Sequence, residues 1–226
     1  MKTCFTFLGI CLLTFSLSAQ TDRANPSPLA APLPLDPLTA AERATAEQLA
    51  RANGTVRQFL STGRSRLIYA DFISVKRDAK VPEPEGRFAD VLFYRYDDDT
   101  GLRLLVDLSA GAVIDVARVG GRSVPLAAAE VEEAARLALA SSDVVRLLGE
   151  RAGSFRVASG PATSGQINDN RIEALRTLGS TPDDPCTRDR CVVLFFRSQN
   201  RYIALNQVVV DLTTSRVLVN RAGARP

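Results

Sequence analysis

One strand-rich stretch occurs twice, and that constrains this chain more than anything else in it. Residues 91–116 read VLFYRYDDDTGLRLLVDLSAGAVIDV, and residues 193–220 read VLFFRSQNRYIALNQVVVDLTTSRVLVN. VLFYR matches VLFFR, and VDLSAGAVI matches VDLTTSRVL. Both stretches are rich in branched and aromatic residues and are broken by Asp, Ser, Asn and Gly. They predict short antiparallel strands joined by tight turns, at 97–101 and 109–111 in the first. Side chains alternate faces with period two, so a matched pattern needs a matched register. The match sets Val106 over Val210, Asp107 over Asp211, Val113 over Val217 and Ile114 over Leu218. A longer second hairpin takes up the extra spacing.

The intervening sequence supplies helices. Thr39-Ala-Ala-Glu42 is a capping box, which opens a helix through Ala44, Leu49 and Ala52. Asn53-Gly54 is its stop. Strands are expected at 55–60 and 66–76, then a Pro-rich loop at 81–86. Pro125 opens a second helical region. Residues 126–140 are Ala-rich and amphipathic, with Glu130, Glu132 and Glu133 near the start, where the helix dipole favours anions. Ser141, Ser142 and Asp143 recap a shorter helix with Val144, Val145, Leu147 and Leu148, ending near Gly149 or Gly153. Residues 155–158 predict a brief strand. Residues 159–190 form a long polar excursion with a helical turn or two at 171–178. Helices and strands are segregated, which predicts α+β. Each unit is a helix on one face of a curled antiparallel sheet, and helix 126–140 serves as the joint. The expected layout is a signal at 1–20, a Pro-rich tether at 21–37, and α+β units at 38–121 and 122–226.

The first twenty residues set the compartment. Lys2 precedes an apolar run at 5–17, too short to span a bilayer comfortably. Small residues Ser16, Ser18 and Ala19 follow, so the segment predicts a cleaved secretory signal. Ile10 before Cys11 speaks against a lipid-attachment cysteine. The mature protein is expected to be secreted or periplasmic, with no stable membrane span. Cys186 and Cys191 then remain, an even pair in an oxidising compartment, and a disulfide between them is expected. The ring is small, so it removes little unfolded-state entropy and serves to fix the entry into strand 192–197.

Composition narrows the chemistry. The sequence has no His. That excludes His-based triads and three-His copper sites within this sequence. Acid–base work would fall to Asp and Glu, whose pKa values need strong desolvation to reach neutrality. The formal charge of +3 is too small for a nucleic-acid footprint. Asp97-Asp98-Asp99 offers three carboxylates for a calcium ion, but without the alternating ligands of a calcium loop, and a hairpin tip explains it better. Asp183-Asp184 reads the same way. Gly120-Gly121-Arg122 lacks the spacing of a phosphate loop and fits a turn before Pro125. Ser159 and Ser164 have no partner base. Phe93 and Tyr94, like Phe195 and Phe196, alternate faces, so one set is core and the other is available for contact.

A family resemblance rests on the order of several loose motifs. Leu35-Asp-Pro-Leu-Thr39 with Glu42 resembles the opening of the N-terminal region of copper amine oxidases. Phe72-Ile-Ser-Val75 with Lys80, then Val106-Asp-Leu-Ser-Ala-Gly-Ala-Val113, keep its order. So do Pro125-Leu126 with Glu130 and Ala134, and Asp143-Val-Val145. The similarity runs from Leu35 to about Arg221. It implies two small cystatin-like α+β domains in tandem. It does not imply oxidase activity, because the cofactor-forming Asn-Tyr-Asp/Glu-Tyr motif is absent and no His is present to bind copper. Leu104-Leu-Val-Asp107 with Gly111-Ala-Val113 also resembles a PepSY module, a secreted unit linked to peptidase inhibition.

The expectation is an exported, non-catalytic accessory module without a cofactor or metal. It would bind another exported protein and no nucleic acid. The alternatives are a PepSY-like inhibitory module and an enzyme that uses carboxylates or a metal. The signal reading predicts a mature N-terminus near Ser18 to Gln20. Mass spectrometry of the natively produced protein checks it, and an intact Met1 on the mature form overturns it.

Overall fold

The helices begin where side chains satisfy orphan amides. In this computed structural model, which describes residues 36–74, 86–158, 170–179, 181–199 and 201–219, helix α1 covers Ala40–Ala52. The Thr39 hydroxyl accepts from the Glu42 amide at 3.2 Å, and the Glu42 carboxylate accepts from the Thr39 amide at 2.8 Å. The capping box of the sequence is therefore formed. Asn53 ends α1 by donating to the Ala50 carbonyl. Its side chain also accepts from Thr55 and Val56 amides, and so opens helix α2, Gly54–Ser61. The strand expected at 55–60 is thus a helix. Val56, Phe59 and Leu60 fit a single helix face, and the Asn cap decides between two periods that a short run cannot separate. Helices α3, Ala128–Ala140, and α4, Ser142–Leu148, repeat the pair later in the chain. Gly149, at φ 62°, ends the second pair with a conformation that suits glycine.

The fold class is α+β, with two sheets. Sheet 1 is antiparallel, in the order β1 (Ser65–Phe72), β2 (Phe88–Arg95), β3 (Thr100–Asp107), β4 (Ala112–Gly120). Sheet 2 runs β5 (Arg156–Val157), β6 (Arg171–Thr177), β7 (Cys191–Ser198), β8 (Arg201–Asp211), β9 (Arg216–Val219). Its β5–β6 pair is parallel and the others are antiparallel. Strand β6 stands where helical turns were expected at 171–178. Its alternation is the reason: Ile172 is buried and Ala174 packs on the core, while Leu175 is exposed.

The register corrects one part of the sequence match. Val106 pairs with Val113, and Val210 with Val217, so these positions correspond as expected. Ala89 pairs with Val106, but Val192 pairs with Val210. Val91 therefore corresponds to Leu194 and Phe93 to Phe196. The string match of VLFYR with VLFFR is one residue out of step. Such a slip would turn every side chain to the opposite face. Ile114 also loses its match to Leu218. It sits in a bulge between Leu105–Asp115 and Val106–Val113, so Asp115 corresponds to Leu218. Irregularities at Leu194, Phe196 and Arg197 absorb the longer β7–β8 hairpin.

Two cores result. Leu38, Ala46, Ala50, Val56 and Phe59 pack on Ala89, Val91, Phe93, Leu102, Leu104 and Val106. The other face of β1 and β2, with Ile68, Leu92 and Tyr94, joins a second core with Ala134, Val144, Phe155, Ile172, Leu194 and Val210. Both Phe93 and Tyr94 are therefore core, on opposite faces of a strand buried on both sides. The analogous pair divides differently: Phe196 is buried and Phe195 is partly exposed. Helix α3 lies against β7, β8 and β9 and also reaches sheet 1, where Glu133 pairs with Arg66. It thus touches both sheets. The signal, the tether up to residue 35, Lys76, Lys80, the loop through 85, Ser159, Ser164 and the last seven residues lie outside the described residues.

Asn53 serves two helices at once. Asn53→Ala should lower stability by about 1 kcal/mol, the usual loss for an N-cap. Thermal and urea unfolding check this, and an unchanged midpoint would show that the cap contributes nothing.

Candidate functional site

Polar side chains converge at the start of each helix pair. Arg87 directly precedes β2, and Arg190 directly precedes β7. The Arg87 Nε and Nη2 atoms donate to Glu42, Nη1 donates to the Asp36 carbonyl at 3.0 Å, and Nη2 also reaches the Pro37 carbonyl at 2.9 Å. Arg190 repeats this atom for atom. Its Nε and Nη2 donate to Glu130 at 2.6 and 2.7 Å, Nη1 to the Val124 carbonyl at 3.3 Å, and Nη2 to the Pro125 carbonyl at 2.6 Å. The backbones agree as well. Arg87 receives Leu108 N–H and donates to Ser109 Oγ, as Arg190 receives Leu212 N–H and donates to Thr213 Oγ1. Asp107 accepts from the Ser109 and Ala110 amides, and Asp211 from those of Thr213 and Thr214. Each arginine clamps a helix N-terminus to the first strand of its hairpin and to the β-turn beyond. Planar guanidinium suits this, because its donors fit a carboxylate and carbonyls together.

The two clamps differ in burial. The side chains of Arg87 and Glu42 are 12% and 21% exposed, and those of Arg190 and Glu130 are 0% and 0%. The first half supplies the cover. Tyr94 places its ring 4.3 Å from the Arg190 guanidinium, and Tyr96 donates its hydroxyl to Glu130 at 2.7 Å. Burial alone would raise the Glu130 pKa, but the Arg190 fork, the Ala127 amide and Tyr96 hold it below the ordinary carboxylate range. Burial, then Glu130, pushes the Tyr96 phenol upward. Glu42 is held down at about 2, chiefly by its hydrogen bonds from Arg87. These shifts favour the charged carboxylates and the neutral phenol. Their contacts brace the fold.

A second knot joins the halves beside the first. Arg176 of β6 donates to the Gly121 and Val124 carbonyls and meets Asp99 at 3.3 Å, and Asp99 accepts from the Tyr94 hydroxyl at 2.7 Å. Burial and the nearby Arg190 lower the Arg176 pKa from its ordinary value. The Gly121 amide donates to the Asp99 carbonyl at 2.7 Å, and a Cβ at Gly121 would overlap the Asp99 carboxylate. Gly120-Gly121-Arg122 is therefore a packing turn. From the other side, Arg64 stacks on the Tyr96 ring at 4.1 Å and donates to the Leu212 carbonyl.

The aspartate candidates diverge. Asp97 accepts from the Arg64 amide, Asp98 forks with Arg95, and Asp99 faces Tyr94 and Arg176. Asp184 caps a short turn by accepting from the Cys186 amide at 2.9 Å. Among the described residues no group of three or more His, Cys, Asp or Glu is placed to hold a metal. Cys186 and Cys191 are disulfide-bonded, with Cα atoms 5.3 Å apart. The ring ends beside Arg190, so it fixes the entry into β7 and the second clamp together. The clamps were missed in sequence. Their signal was there: PLTAAE at 37–42 and PLAAAE at 125–130 are nearly the same string, and each pairs with an arginine just before a strand.

Surface chemistry differs between the sheets. On the face of sheet 1 away from α1, one row across the strands reads Asp71, Asp90, Leu105, Asp115. The matching row of sheet 2 reads Leu175, Val193, Val209, Leu218. Neighbours Ile172, Val192, Leu194, Val208 and Val210 are buried towards the helices, so the row lies on the opposite face. Leu175 is 61% exposed and Tyr202, on the same face, 48%. Phe195 stacks edge-on to Tyr202, and Tyr202 donates to Glu173 at 2.8 Å.

No family model matches the chain, and no curated protein does. Among solved structures, a copper-containing benzylamine oxidase from Hansenula polymorpha is similar, at 16% identity with a TM-score of 0.48. The likeness covers 85% of this chain and 31% of the oxidase, so the chain spans about a third of that protein. The resemblance to amine oxidases is partial and concerns the fold. Among the described residues no helix is long and apolar enough to cross a membrane.

Removing one partner from a fully buried ion pair strands the other charge, at a cost of roughly 3–5 kcal/mol. Arg190→Met should show a loss of that order in urea unfolding. The double variant Arg190→Met with Glu130→Leu should recover much of it. A single variant as stable as the parent would remove the clamp from the account of stability.

Proposed function

We propose that the chain is an exported, non-catalytic accessory module that acts by protein–protein contact through the open face of sheet 2. The observation behind this is the row Leu175, Val193, Val209 and Leu218, set in register across four strands and flanked by Phe195 and Tyr202. Leu175 is exposed and Val193, Val209 and Leu218 are half-buried, and contiguous accessible apolar surface marks contact sites. Two α+β units, at 38–121 and 122–226, form the module, and the second presents the contact face. The Cys186–Cys191 disulfide fits secretion or the periplasm. An accessory role beside an enzyme agrees with the sequence resemblance to the domains that precede the amine oxidase catalytic domain. Asp97, Asp98 and Asp99 each meet a separate partner: the Arg64 amide, Arg95, and Tyr94 with Arg176.

Leu175→Asp tests the proposal. The side chain is largely exposed, so the fold should keep its unfolding midpoint within about 0.5 kcal/mol. The immobilised wild-type chain should retain a partner from the exported protein fraction. Leu175→Asp should lose it, and a control, Ile114→Asp, should keep it. Equal retention by all three chains overturns the proposal. So does peroxide release from primary amines.

A further inference from the structure

The second clamp is closed by a plug, a stacked pair of side chains at one end of sheet 1. Arg64 stands just before β1 and Tyr96 just after β2, and the Tyr96 amide donates to the Arg64 carbonyl at 2.9 Å. The Arg64 guanidinium lies 4.1 Å from the centre of the Tyr96 ring. From there Tyr96 donates its hydroxyl to Glu130 Oε1 at 2.7 Å, and Arg64 donates to the Leu212 carbonyl. Arg66 of β1 reaches Glu133, one turn further along α3.

The counterparts of the three contacted residues meet again in the first half. PLTAAE over PLAAAE sets Glu42 over Glu130 and Thr45 over Glu133, and the two VDL strings set Leu108 over Leu212. Glu42, Thr45 and Leu108 line one cleft of about 340 Å³, together with Ala41, Arg87 and Ser109. Part of the cover is present: the Phe72 ring lies 5.6 Å from the Arg87 guanidinium, as the Tyr94 ring lies against Arg190. The counterpart of the plug is not among the described residues. Glu130 Oε1 accepts from both Arg190 Nε and Tyr96, whereas Glu42 Oε1 accepts only from Arg87 Nε among the described residues. The Leu108 carbonyl has no donor among them, where Leu212 has Arg64.

We infer that this cleft is a docking site for a partner protein, which fills it with the end of an antiparallel strand pair carrying a tyrosine opposite an arginine. The tyrosine hydroxyl donates to Glu42 Oε1. The arginine, stacked on that ring, donates to the Leu108 carbonyl. Thr45 in place of Glu133 means that no second arginine is called for. A second copy of this chain fits poorly. Its own Tyr96 and Arg64 are engaged with its second half. Two residues beyond Arg197, sheet 2 has Gln199 where sheet 1 has Tyr96 two residues beyond Tyr94, so that end brings no ring. The cleft lies in the other half from the contact face proposed above and does not rest on it.

A titration of the intact protein decides this. The probe is a backbone-cyclised β-hairpin peptide with tyrosine and arginine as its terminal cross-strand pair. A second peptide carries phenylalanine in place of the tyrosine. Amide shifts of the isotope-labelled protein locate the binding. The expected result is saturable shifts confined to residues 41–45 and 108–109. The phenylalanine peptide should bind about tenfold more weakly, the contribution of one hydrogen bond to a charged acceptor. Thr45 is exposed, so Thr45→Arg should keep the unfolding midpoint while its bulk and charge abolish binding. No shifts at those residues with millimolar peptide overturn the inference. So does equal affinity for the two peptides, or equal binding by Thr45→Arg.

Discussion

A buried arginine–carboxylate pair at a helix N-terminus is the constraint on which this fold depends. The first turn of a helix leaves amides without partners, and the residues before it leave carbonyls exposed. Glu130 turns back to the Ala127 amide, and Arg190 takes up the carboxylate and the two preceding carbonyls. One side chain so ties helix, strand and turn. Full burial of two charges is costly unless every lone pair and donor is answered. The remaining answers come from the other half of the chain, through the Tyr96 hydroxyl and the Tyr94 ring. The position of the β2–β3 turn against α3 therefore follows from the need to close the clamp. The first clamp is covered less closely: the Phe72 ring lies 5.6 Å from the Arg87 guanidinium, and the pair keeps a Thr hydroxyl and partial exposure.

How much of this was legible depends on the scale of the signal. Thr39 and Glu42 announced their helix because a capping box is local. The paired hairpins were legible from alternation and turn residues. The length of a short helix was not: 55–60 carries branched and aromatic residues in either period, and only the Asn53 cap settles it. Strand β6 failed for a related reason, since Arg171 to Thr177 earns its pairing from β7, far along the chain. The one-residue slip between β2 and β7 is more instructive. Two strings can match letter by letter and still face opposite ways, and only the pairing partners fix the facing. The clamps required PLTAAE and PLAAAE to be compared with residues that lie dozens of positions away. No local pattern joins them.

The disulfide belongs to the same logic. Its small ring contributes little through unfolded-state entropy. It sits where Arg190 leaves the loop and enters β7, so it limits the backbone at the one place where the buried clamp must be aimed. The corresponding position in the first half is Phe88, without a cystine. The partly exposed clamp of that half tolerates looser aim, because water can answer a donor that misses its acceptor.

The two sheets have parted in one respect that structure alone does not require. Sheet 1 spends its rear face on the second half, and where that contact ends it turns to aspartates. Asp90 is held there by Arg103 and Tyr69, with Asp71 and Asp115 towards solvent. Sheet 2 has no following half among the described residues, yet its equivalent row is wholly apolar. Scattered exposed apolar residues are ordinary on any protein. A row in register is different, because the pleat presents the side chains as one continuous strip and solvent meets them together. Its edge is aromatic and charged: Phe195 stacks edge-on to Tyr202, and Arg197 lies over the Tyr202 ring and pairs with Glu173. Had this face evolved only to meet water, the aspartates of sheet 1 show the cheaper solution that the same strands can carry.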